Sequence, residues 1–160
     1  MRDVWLLVAD QAEARVYSAD RTTHVLSFVE RLADPLAHLH DRDLVTDRPG
    51  RVFDHAPAPA GRRGATAHHG TGGERSPRKH EADLFAHRVV QALTEAHHAQ
   101  RFDQLVVLSG PVFLGHLRQA LTPEIKRCIL AEVSKDLTHL PADAISAHLP
   151  PETWRRAERA

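Results

Sequence analysis

The chain holds a single cysteine, Cys128, among 160 residues. One thiol excludes an internal disulfide framework and a thiolate-rich zinc site, and it fits a reducing compartment. Excess charge is absent too, since 21 Lys and Arg balance 21 Asp and Glu. The whole molecule is therefore no polycation, and any contact with nucleic acid has to come from a local patch. Long apolar runs are missing as well. Val4 to Ala9, bracketed by Asp3 and Asp10, is far too short for a membrane span or a signal-peptide core. A cytoplasmic protein with no membrane partner is the expectation. What is present is an ordinary soluble mixture, 42% hydrophobic and 26% charged, in a length that suits one domain with one core. The unusual component is a set of 13 histidines, which could titrate together just below neutrality.

Along the chain, Val4 to Ala9, Ala14 to Ala19 and Val25 to Leu32 are short runs rich in valine, leucine and aromatics, separated by polar breaks at Asp10-Gln11 and Asp20 to Thr23. They predict three consecutive strands in two hairpins. From Asp34 to Ser76 large apolar residues are scarce, prolines stand at 35, 49, 57 and 59, and five of the eight glycines fall between Gly61 and Gly73. A long loop over 34–76 follows, and loops of this length are uncommon unless functional or disordered. Ser76 can then cap a helix with Pro77 at its first position, and Ala82, Phe85, Val89, Leu93 and Ala96 recur on one face. Phe85 and Val89 are expected to face Leu105 and Val107, whereas Arg88 lies off the stripe and its truncation is expected to be silent. Leu105 to Leu108 reads as a strand buried on both faces, and Ser109-Gly110-Pro111 turns it into a helix carrying Phe113, Leu114, Leu117 and Leu121. Thr122-Pro123 opens a short helix, Cys128 to Val133 reads as a last strand, and Pro141 starts a last helix. The order predicts a single α/β domain over 1–149, a layered sandwich with a mixed sheet flanked by helices, and a frayed tail over 150–160.

Three phrases go beyond periodicity: Asp43 to Asp54 (DLVTDRPGRVFD), Phe113 to Arg118 (FLGHLR) and Lys135 to Pro141 (KDLTHLP). In these phrases the chain resembles the bacterial host attachment protein family, from about Val4 to Leu149. That family is in turn similar to the middle domain of archaeal and eukaryotic class-1 peptide-chain release factors. The matching features are an N-terminal strand pair, a glycine-rich loop leading into a long basic-faced helix, and a strand with a small-residue turn. In those release factors the loop carries Gly-Gly-Gln, which enters the peptidyl-transferase centre and promotes peptidyl-tRNA hydrolysis. Here the corresponding place reads Gly72-Gly73-Glu74, so a carboxylate replaces an amide that can both donate and accept hydrogen bonds. The resemblance implies a translation-related module that binds the ribosome or tRNA. The alternatives are a peptidyl-tRNA hydrolase that places a water with Gly72, Gly73 and Glu74, and an adhesion or protein-interaction factor.

The residues themselves offer a basic arm. Between Gly61 and His80 stand Arg62, Arg63, Arg75, Arg78 and Lys79 against Glu74 alone, with His68, His69 and His80 added. Such an arm can follow a phosphate backbone and release counterions, while the lack of interleaved aromatics argues against base stacking. The competing reading is a solvated loop. Asp43, Asp47 and Asp54 alternate with Arg48 and Arg51, and Arg–carboxylate pairs that fold the loop back are preferred here to a catalytic carboxylate pair. Neither His68-His69 nor His97-His98 stands at metal-ligand spacing, so no metal and no cofactor is expected. Ser109 and Gly110 sit where a strand ends and a helix begins, the usual ligand crevice of an α/β sheet, and a plain N-cap is the simpler assignment. Lys135, Asp136, Thr138 and His139 follow the last strand and read as a turn with a side-chain cap.

Overall fold

The computed structural model describes residues 3–37 and 77–155. Strands β1 (Val4–Ala9), β2 (Glu13–Ala19) and β3 (Leu26–Ala33) open the fold. Helix α1 (Pro77–His98), strand β4 (Gln104–Ser109), helices α2 (Pro111–Ala120) and α3 (Pro123–Cys128), strand β5 (Ile129–Ser134) and the short helix α4 (Ala142–Ser146) complete it. One five-stranded sheet runs in the order β3-β2-β1-β4-β5. β1 pairs antiparallel with β2 and parallel with β4, and β4 pairs parallel with β5. The expected mixed-sheet α/β architecture is therefore present.

The unbroken apolar runs take the centre of the sheet because residues without polar side chains lie between two layers at the least cost. All six residues of β1 are buried, as are Leu105 to Leu108. The two hairpins close by side-chain capping of their turns: Asp10 Oδ1 accepts the N–H groups of Ala12 (2.7 Å) and Glu13 (2.8 Å). Asp20 Oδ1 does the same for Thr22 (2.7 Å) and Thr23 (3.1 Å), and His24 adopts φ 59° in that turn. Donation from the two N–H groups to the ionised form holds the Asp20 carboxyl below the ordinary carboxylate range.

One face of the sheet, with Trp5, Leu7, Leu105 and Val107, packs under Phe85, Val89 and Leu93 of α1 and Phe113, Leu114 and Leu117 of α2. The expected stripe is thus the buried one. The other face, with Leu6, Val8, Val106 and Leu108, is covered by Leu137, Ile145 and Leu149. Between α1 and α2, Phe85 stacks on Phe113 with centroids 5.7 Å apart, and His116 Nδ1 donates to Asp83 Oδ1 at 2.5 Å.

Four particulars differ from the sequence reading. Cys128 ends α3 instead of opening β5, because Thr122 caps α3 by accepting the Ile125 N–H and its last turn runs through Cys128. Arg88 is no idle surface residue: its Nη2 lies 3.1 Å from Oδ1 of the buried Asp34, and its guanidinium sits over the Phe85 ring. Ser109 does not cap α2, since Gly110 occupies the N-cap position with no side-chain bond and the Ser109 hydroxyl is buried without a hydrogen-bond partner. Residues 151–153 form a 3₁₀ turn where a frayed tail was expected. Thr153 is buried there, its carbonyl accepts from Arg21 Nε at 3.2 Å, and Trp154 stacks on His24. The proline pair starts this turn and the indole finds an apolar seat, which together offset the cost of ordering. The proposed Ser76 cap lies outside the described residues.

Candidate functional site

Parallel strands place their carboxyl ends at one edge, and there the chain leaves β1 toward β2 but leaves β4 toward β5. Neighbouring strands that diverge in this way open a crevice at the sheet edge. At this edge Asp10 follows β1, Gly110 follows β4, whose last residue is Ser109, and Lys135, Asp136 and Thr138 follow β5. Thr138 is buried, and its Oγ1 lies 2.8 Å from Asp10 Oδ2 and 2.7 Å from Asp136 Oδ1. A hydroxyl carries one proton, so Thr138 can donate to one of the two carboxylates at a time. Asp136 Oδ1 also accepts the Thr138 N–H at 3.1 Å, which makes the expected turn with a side-chain cap. Gly110 stands beside this turn, with an added Cβ falling 3.6 Å from the Asp136 Cβ. Arg15 anchors the same loop to β2 through Nη1, which reaches the Tyr17 hydroxyl (3.2 Å) and the Leu140 carbonyl (3.3 Å).

A second group lies at the start of α1. Ala37, the last described residue before the 38–76 segment, and Arg78, the second residue of α1, line one crevice of about 200 Å³ with Gln11, Ala12, Asp34, Glu81 and Ala82. Asp34 fixes this corner: its N–H donates to the Ala12 carbonyl at 2.8 Å, and its Oδ1 accepts from Leu36 N–H and Arg88. The first turn of α1 contains no acidic residue, and Pro77, Arg78, Lys79 and His80 are exposed. Free N–H groups and the aligned peptide dipoles make a helix start favourable to anions, and two cations in the first turn add to that field.

Comparison of the sequence with known protein families gives a match over residues 5–149 to the family described as "Protein required for attachment to host cells". The chain belongs to this host attachment family. No curated protein matches it. A solved structure titled "Archaeal protein" resembles it with a TM-score of 0.45 and 9% identity, over 94% of this chain and 35% of that one. The chain thus spans about a third of that protein's length, and a likeness at this level carries no functional argument.

Of the site residues proposed for this host attachment protein from its sequence, Arg78 and Lys79 lie at the start of α1. Arg62, Arg63 and Arg75 lie outside the described residues, as do Gly72, Gly73 and Glu74. The loop-structuring set Asp43, Asp47, Arg48, Arg51 and Asp54 also lies outside them. The residue that sequence reading missed is Asp10, seen only as a break between strands. Its position directly after a buried strand was the available signal, because in a parallel sheet that place is the edge of the crevice.

Several other titratable groups have structural partners. His98 Nε2 lies 3.0 Å from Glu124 Oε2, and His97 Nε2 lies 3.7 Å from Glu124 Oε1, so the histidine pair ties the end of α1 to α3. Among the described residues no group of three or more His, Cys, Asp or Glu is placed to hold a metal ion. Cys128 is buried against His97, and burial, with Glu124 and Asp103 adding negative charge nearby, pushes its thiol pKa up. A thiol kept neutral in this way is a poor nucleophile. No helix among the described residues is long and apolar enough to cross a membrane.

Proposed function

We propose that this member of the host attachment family is a cytoplasmic RNA-docking module that engages the ribosome or tRNA through the basic segment ending in the first turn of α1. The observation that carries the reading is the exposed first turn of α1, which holds Arg78 and Lys79 and no acidic residue, with Arg78 lining the crevice. The resemblance to the release-factor middle domain, where a glycine-rich loop leads into the corresponding helix, supports it. Binding through such a surface goes to phosphates and is insensitive to base identity. Titration of purified protein with tRNA tests this: neutralising Arg78 or Lys79 lowers affinity and reduces the logarithmic salt slope, whereas Lys126→Ala, on α3, leaves both unchanged. Equal salt slopes for all three variants would contradict the proposal.

Glu74→Gln removes the one acidic residue of the arm and restores the release-factor triplet. Tighter tRNA binding without peptide release supports docking. Loss of a release activity present in the wild-type protein would instead assign hydrolysis to Glu74. A second reading, an adhesion or protein-interaction factor, rests on the family's description as required for attachment to host cells. Cell fractionation separates the two, because adhesion needs the protein at the cell surface.

A further inference from the structure

We draw no further inference here: the strongest candidate, the Asp10–Thr138–Asp136 cluster at the carboxyl ends of β1 and β5, belongs to the site already described and is held by turn hydrogen bonds, while the buried Ser109 hydroxyl alternates onto the sheet face under α1 and α2, so no independent observation points to a ligand.

Discussion

Thr138 joins the loops after β1 and β5 through one hydroxyl. Thr138→Val keeps the shape and removes that donor, so the expected loss of stability is about 1 kcal/mol. Urea unfolding reads it as a lower midpoint at unchanged slope; an unchanged midpoint would mean that the two turns hold their places without the bridge. Among the described residues, Arg88→Ala leaves the buried Asp34 carboxylate with the Leu36 N–H as its remaining side-chain bond. The Arg88 side chain is 48% exposed, so solvent screens the pair and the expected cost is about 1 kcal/mol, not the several of a buried ion pair. The same unfolding measurement distinguishes this from a silent change. Cys128 gives a pH dependence of known sign. Burial raises its pKa in the folded chain, so the unfolded thiol ionises first, and stability begins to fall as pH rises through about 8.5, the ordinary thiol value. Alkylation at neutral pH should accordingly be slow in the folded protein and fast in urea, with Cys128→Ala abolishing the extra loss of stability on the alkaline side.

At the scale of elements, α1 shows what periodicity alone can carry. Its stripe places Phe85 under the ring of Phe113 and within the cluster that holds Leu105 and Val107. Phe85→Ala should cost about 3–5 kcal/mol as a large-to-small change in a packed core, and an effect below about 1 kcal/mol would show that the site collapses around the smaller side chain. The strands were legible for the same reason, because β1 and the apolar run of β4 have no polar residue that could face water. Contacts between distant loops were not legible. Asp10 and Thr138 stand 128 positions apart, and Asp34 and Arg88 stand 54 apart; nothing in the local spacing of either pair says that they meet. Ser109 shows the limit at short range: a serine before Gly-Pro reads as a cap, but the strand pleat carries its side chain under α2 and leaves the capping position to Gly110.

For the whole molecule, a net charge of zero means that the proposed attraction to RNA would have to come from a local patch and not from an overall field. Three parallel strands finish at one edge, α2 begins there, and the start of α1 shares a crevice with the end of β3. The family was legible in the phrases at Asp43, Phe113 and Lys135, and the family match confirms it. A partner was not, because phosphate binding requires only clustered cations on an exposed backbone, a pattern shared by many solvated loops. Each of Arg78 and Lys79 should therefore be read through salt: on duplex-like RNA, removal of one phosphate contact lowers the logarithmic slope by about 0.9. The most direct measurement is cosedimentation of the wild-type protein with ribosomes at low salt, repeated with the Arg78→Ala/Lys79→Ala double variant. Docking through the basic segment predicts wild-type protein in the ribosomal fractions, released by added salt and depleted in the double variant. Absence of the wild-type protein from every ribosomal fraction at low salt would contradict it.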